Sequence, residues 1–387
     1  MIFRIILASV LLHAAFSCMR LTVSLDALAH GASSLQVGAI VSLLALGPTF
    51  TAVACGRWID RVGTRLPVFA GAAGIALAAS IGLGLPASKF GLTPLYVVAF
   101  VAGLGFLCIT LISQKMVGFL SEAATRQASF AWLAMGMSAS GLLSPILSGY
   151  LIDGFSHQAV FAAALLLCAS GVGVFLFSLS RLPSSLDPEK PKVMRHAWDL
   201  VLVPRLRNVL LVSALVSMAW DLQHFMFPVY GHAAGLSATE IGWLTGTFFS
   251  ATFLVRFLMP WTSRHFTEWQ FLTLTLVVGG IAYAAFPLFT SFPALVATAF
   301  VLGLGLGSSQ PNVMSLLHSE APEGRVGEAL GIRTMATNAC HAVLPSAFGV
   351  LTAMVGAASI FLAMACILAC GAVAAGRIAA GRSRRSR

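Results

Sequence analysis

The chain has 387 residues, of which 58% are hydrophobic and only 9% charged, with a mean hydropathy of +0.91 and a formal net charge of +10. So little polar surface cannot coat a water-soluble globule, and most of the chain must be surrounded by lipid. The positive charge would suggest a nucleic-acid partner in a soluble protein, but here it collects between apolar runs, which excludes that use.

The apolar runs are about 20 residues long, the length a helix needs to cross roughly 30 Å of hydrocarbon, and longer than the roughly 10-residue alternation of a membrane barrel. Backbone amides in lipid must be bonded internally, so helices do the spanning. The sequence predicts an all-α membrane protein with twelve spans, at 2–26, 35–56, 67–86, 93–117, 127–151, 158–180, 207–231, 238–260, 269–289, 292–317, 329–354 and 357–378. Span one starts like a secretory leader, with Arg4 and then Ala14, Ala15 and Ser17, but its apolar run continues to Leu25, so it is read as a span that is not cleaved.

The loop after span two carries Arg57, Arg61 and Arg65, and that after span four Arg126. After span six come Arg181, Lys190, Lys192, Arg195, Arg205 and Arg207. Arg264 follows span eight, Arg325 span ten, and Arg377, Arg382, Arg384, Arg385 and Arg387 close the chain, whereas the intervening loops hold Lys89 alone. The positive-inside rule then places both termini and the middle loop in the cytoplasm, and the chain in a cytoplasmic (inner) membrane. That middle loop holds Pro183, Pro188, Pro191 and Pro204, so the expected domains are an N-terminal six-helix bundle at 1–181, a linker at 182–206 and a C-terminal bundle at 207–387 ending in a basic tail. A short interfacial helix is expected within the linker at 194–203.

The halves repeat at an offset of about 200 residues. Gly103-Leu104-Gly105 answers Gly303-Leu304-Gly305; Ser121-Glu122-Ala123 with Arg126 answers Ser319-Glu320-Ala321 with Arg325; Pro145 answers Pro345. Two parallel six-helix halves with a solute site between them near midplane is an arrangement that alternates access by rocking. The cysteines (Cys18, Cys55, Cys108, Cys168, Cys340, Cys366, Cys370) are odd in number and lack metal-ligand spacing, so they read as small packing residues. Gly303, Gly305 and Gly307 lack the lysine and strand of a nucleotide loop and read as helix packing.

After span two comes Gly56-Arg57-Trp58-Ile59-Asp60-Arg61-Val62-Gly63-Thr64-Arg65. This resembles the G-x-x-x-D-R-x-G-[RK]-[RK] signature of the major facilitator superfamily, lacking one basic residue at Thr64. The resemblance implies the twelve-span fold of that family and assigns Gly56, Asp60, Arg61, Gly63 and Arg65 to a conformational gate, with Gly56 permitting close helix approach. A degraded second copy has Ser263 and Arg264 in place of Asp60 and Arg61, with Arg256 shortly before. Two features depart from proton-linked drug exporters of the family: Ala99 stands where span four would carry an arginine, and Pro145 follows Ser144 rather than glycine.

In such proteins spans one, four, seven and ten line the cavity, and charges at that depth are expensive unless paired or wet. Arg20 in span one lies at a depth matching Asp221, Gln223 and His224 in span seven. Asp221 and His224, three apart, share a helix face and suit proton exchange, with Arg20 binding an anionic group or neutralising Asp221. The alternative is a structural Arg20–Asp221 pair. Gln114 in span four, Gln310 and Asn312 beside Pro311 in span ten, and Asn338 and His341 on one face of span eleven are further candidates for the solute pathway, or for hydrogen bonds between helices. Trp220, Phe225 and Phe227 offer aromatic walls or packing. Arg333 is expected to snorkel to the surface, and Glu122, Arg126, Glu320 and Arg325 to anchor loops.

The resulting expectation is a monomeric secondary transporter of a small organic solute, driven by protons, with no enzymatic centre, cofactor, metal or nucleic acid. Export is favoured by the glycines of span five, Gly136, Gly141 and Gly149. Uptake of a carboxylate-bearing metabolite is the alternative, favoured by Arg20 and the missing span-four arginine, and a non-transporting sensor is the reading from another class.

Overall fold

The computed structural model describes residues 2–121, 126–177, 199–262, 266–322 and 326–383. Glu122, Ser263, Arg264, Arg325, most of the linker, and the side chains of Asp60 and Arg126 lie outside the described residues. Fifteen α-helices are found among those described: α1 (Ile2–Ala29), α2 (Ser34–Val62), α3 (Arg65–Gly84), α4 (Ala87–Phe90), α5 (Thr93–Leu120), α6 (Arg126–Gly154), α7 (His157–Leu176), α8 (Asp199–Leu202), α9 (Pro204–Ala233), α10 (Ala238–Thr262), α11 (Glu268–Ala285), α12 (Phe292–Gly307), α13 (Ser309–Glu320), α14 (Val326–Val355) and α15 (Ala357–Ser383). Twelve spans are long and apolar enough to cross a membrane, with α12 and α13 together forming the tenth. The short α8 lies within the stretch expected to hold an interfacial helix.

The duplication shows in how helices begin and end. Gly31 and Gly235 both have φ near +77°, at 77° and 78°, a conformation costly for residues with a Cβ, and each lets the chain leave α1 or α9 in a tight turn. Two residues on, Ser33 and Ser237 open α2 and α10 with reciprocal caps. The Ser33 amide donates to Gln36 Oε1 at 2.9 Å and the Ser237 amide to Glu240 Oε2 at 2.8 Å, while each serine Oγ accepts from the backbone N–H of the same partner. Thr267 and Gln270 repeat the device at α11.

Helices approach closely where the paired glycines fall. A Cβ on Gly103 of α5 would stand 2.1 Å from the Leu44 carbonyl oxygen of α2, and one on Gly303 of α12 would stand 2.2 Å from that of Phe248 in α10. Both contacts require glycine, which confirms a packing role for these positions.

Contacts divide the chain into two compact units, Met1–Lys190 with Pro228–Gly246, and Pro191–Phe227 with Thr247–Arg387. One cut falls in the linker. The others assign the end of α9 and the start of α10 to the first unit, for a local reason. The Asp153 carboxylate at the end of α6 accepts from the first amides of α10, Ala238 at 3.1 Å and Thr239 at 2.7 Å. Glycines again set the spacing, since Cβ atoms on Gly149 and Gly242 would lie 2.5 Å from the Ala238 oxygen and 2.4 Å from the Pro145 oxygen.

Candidate functional site

Along the second unit, α9 and α14 run side by side with three polar rungs. Arg333 Nε donates to Ser213 Oγ at 3.2 Å, Ser217 Oγ lies 3.4 Å from Thr337 Oγ1, and His341 Nδ1 is hydrogen-bonded to Asp221 Oδ1. Each rung joins residues 120 apart, and successive rungs are four residues apart on both helices. A constant offset means that the helices are parallel, and a step of four keeps the rungs on one face of each. The imidazole that meets Asp221 is therefore His341 of α14, across the seam. Arg333, expected to reach for the surface, is half-buried, with its Nε held by the Ser213 hydroxyl across the same rung.

Asp221 is 2% exposed, and its second oxygen, Oδ2, has no hydrogen-bond partner among the described residues. Gln223 is fully buried, and neither of its amide atoms has a hydrogen-bond partner among the described residues. A carboxylate in such surroundings is costly unless a partner compensates it, and the His341 imidazole is the partner at hydrogen-bond distance. Behind it, the Tyr283 hydroxyl of α11 donates to the Ala219 carbonyl. His224 lies half-buried among aromatic rings, with centroids 6.3 Å from Trp220 and 5.9 Å from Phe249. Phe225 faces Phe348, and Phe227 packs on Phe248 and Phe286. Asn338 is half-buried one turn before His341.

The tenth span breaks at Ser308 because Pro311 has no amide to offer the Gly307 carbonyl four residues earlier. Arg256 of α10 fills that place, with Nε 3.3 Å from the Gly307 oxygen and Nη2 3.4 Å from Gln310 Oε1. Asn312, 5% exposed, donates to the Ser308 carbonyl at 2.7 Å, so its amide is engaged within its own span. Of the tenth-span candidates, Gln310 is the exposed one.

In the first unit Arg20 is half-buried on α1 and Gln114 is exposed near the end of α5. The gate motif occupies the α2–α3 turn. Gly63 ends α2 with φ 81°, which makes glycine necessary there, and Arg61 and Arg65 are exposed. A Cβ at Gly56 would meet nothing within 4 Å among the described residues, so the close helix approach expected of this glycine is not seen there.

The family model of the Major Facilitator Superfamily matches residues 5–232 and 209–386. The chain belongs to that superfamily. Solved structures of the same fold include a mutant of the peptide transporter POT (TM-score 0.81, 15% identity, covering 99% of this chain and 95% of that one). A POT family transporter in complex with 5-aminolevulinic acid aligns with TM-score 0.78 at 14% identity, covering 98% and 96%. A mutant of the nucleoside transporter NupG aligns with TM-score 0.78 at 14% identity, covering 97% and 99%. No curated protein sequence matches significantly. This facilitator is thus a multi-pass membrane protein with a transporter fold.

Sequence reasoning overlooked a second group of ionisable residues in this facilitator. Asp26 near the end of α1 is 1% exposed, with Oδ1 3.0 Å from His30 Nδ1 and 3.8 Å from His157 Nδ1 at the start of α7. His13 Nδ1 is bonded to Ser140 Oγ across the α1–α6 seam, another pairing that spacing along one helix does not reveal.

Proposed function

We propose that this facilitator is a secondary active transporter that moves a small organic solute through the inner membrane by alternating access and couples the movement to protons at the Asp221–His341 pair. The observation that carries the reading is the hydrogen bond between a buried carboxylate and a partly exposed imidazole on two different spans. The pair has two protonation states of different charge, and each favours a different separation of α9 and α14. Ionised Asp221 attracts protonated His341, whereas protonation of the carboxylate weakens that attraction and frees the seam to accommodate a solute or a new helix arrangement. The Ser217–Thr337 rung, with small hydroxyls on both sides, offers little resistance to sliding or parting.

The glycines that favoured export carry packing duties, Gly149 against α10 and Gly136 against Val10. The reading is therefore neutral in direction, and both directions are open outcomes of the test. Small peptides, nucleosides and 5-aminolevulinic acid are the first probes, since structures of the same fold are of a peptide transporter, a nucleoside transporter and a 5-aminolevulinic acid complex.

In vesicles holding the purified protein and an internal pH dye, a transported probe is expected to trigger a pH change in wild type that Asp221→Asn and His341→Gln abolish. The sign of that change under an imposed gradient assigns the direction. Solute movement with an undiminished pH change in folded Asp221→Asn protein would exclude the pair as the coupling site. Binding without movement would favour the sensor reading.

A further inference from the structure

We propose that Asp26, His30 and His157 form a second proton-binding site, in the first unit, that is chemically independent of the Asp221–His341 pair. Two imidazoles, one from the turn after α1 and one from the start of α7, approach a single carboxylate oxygen of α1. His30 Nδ1 lies 3.0 Å from Asp26 Oδ1 and 2.8 Å from the Asp26 backbone oxygen, and His157 Nδ1 lies 3.8 Å from the same Oδ1. The carboxyl is 1% exposed, whereas the two imidazole side chains are 30% and 19% exposed. The acid is thus sealed from its surroundings and the bases beside it are not, so protons enter through the imidazoles.

The charges acting on Asp26 are those of His157 and His30, and those acting on His157 are Asp26, His30 and Asp153. The other helices packed on α1 contribute little. Cys55, Arg57, Asp60 and Arg61 sit in the last turns of α2, Arg65 in the first turn of α3, and Cys108 and Lys115 in the second half of α5, all toward the other end of α1; Tyr96 opens α5 at the near end. At the start of α10, Glu240 is engaged with the Ser237 amide. With both imidazoles neutral, an ionised Asp26 would be an uncompensated charge in a buried place, which costs several kcal/mol. A proton shared between Asp26 and the imidazoles beside it removes that cost, so the cluster is built to bind one.

The site has a mechanical outlet. Asp153 lies four residues before His157, across the turn between α6 and α7, and its carboxylate accepts from the first amides of α10. A proton on His157 draws Asp26 and Asp153 toward one imidazolium, which ties α1, α6 and α7 together at the point where α10 begins. Loss of that proton leaves two carboxylates with nothing positive between them.

Infrared difference spectra of the full chain in lipid nanodiscs, taken between about pH 5 and about pH 8, test the assignment. Wild type is expected to show coupled carboxyl and imidazole bands that Asp26→Asn abolishes, that His157→Gln reduces, and whose midpoint His30→Gln moves by about one pH unit. Asp221→Asn should leave them in place, which separates this site from the proposed coupling pair. Should Asp26→Asn fail to fold, Asp26→Glu must keep the bands at a shifted frequency. Bands unchanged in folded Asp26→Asn and His157→Gln proteins, or in Asp26→Glu, would overturn the proposal.

Discussion

The α1–α6 seam of the first unit and the α9–α14 seam of the second join the first and fifth spans of the two repeats, yet they are chemically different. In the first, His13 meets Ser140, the Cys18 thiol lies 3.6 Å from the Ser144 carbonyl, and Ser148 Oγ lies 3.5 Å from the Cys18 carbonyl. In the second, an arginine, a pair of hydroxyls and an aspartate with a histidine stand one above another. Duplication preserved the crossing, while the bonds made across it became different in kind. A neutral hydrogen bond can be lost for about 1 kcal/mol, whereas a buried carboxylate left without its partner costs about 2–3 kcal/mol. The second seam is therefore the more costly of the two to part.

Substitutions that compare the seams directly can break this contrast. The largest effect is expected for His341→Ala, which leaves buried Asp221 without its partner and should lower stability by about 2–3 kcal/mol, while His13→Ala costs about 1 kcal/mol; thermal unfolding in one detergent reads both. Adding Asp221→Asn to His341→Ala should restore much of the loss, and equal losses from the two single changes would erase the distinction. Next come Gly303→Ala and Gly103→Ala, each expected to cost about 1–3 kcal/mol by overpacking, and to about the same extent, because the carbonyls they would strike are equally close. A marked inequality would show that the shared scaffold has diverged along with the chemistry. The smallest effect belongs to the caps. Ser33→Ala and Ser237→Ala should each cost about 1 kcal/mol, visible as faster amide exchange in the first turn of α2 or α10.

The twelve spans were legible because each is an apolar run of membrane length, and the duplicated glycines because close approach tolerates no substitute. The break in span ten follows from Pro311, but the partner Arg256 that fills it was not legible, since the two are far apart in sequence. For the same reason helix spacing suggested His224 as the companion of Asp221, when the hydrogen bond runs to His341, 120 residues away. Asp26 escaped notice because it falls at the end of an apolar run, where a charge ordinarily reaches water. Only the packing of α7 over it, with His157 in the first turn, reveals that it does not. Gly56 misled in the opposite sense, since a motif position invited a packing role that the surrounding space does not demand.

Pro311 and Arg256 carry a consequence for how this sequence can change over time. The proline leaves a carbonyl without its amide, and a half-buried arginine uses that carbonyl. Replacing the proline returns the amide and competes with the arginine for its acceptor; replacing the arginine leaves the carbonyl bare. Neither residue can drift alone without a penalty, so among descendants of this chain positions 256 and 311 should be inherited, or lost, together.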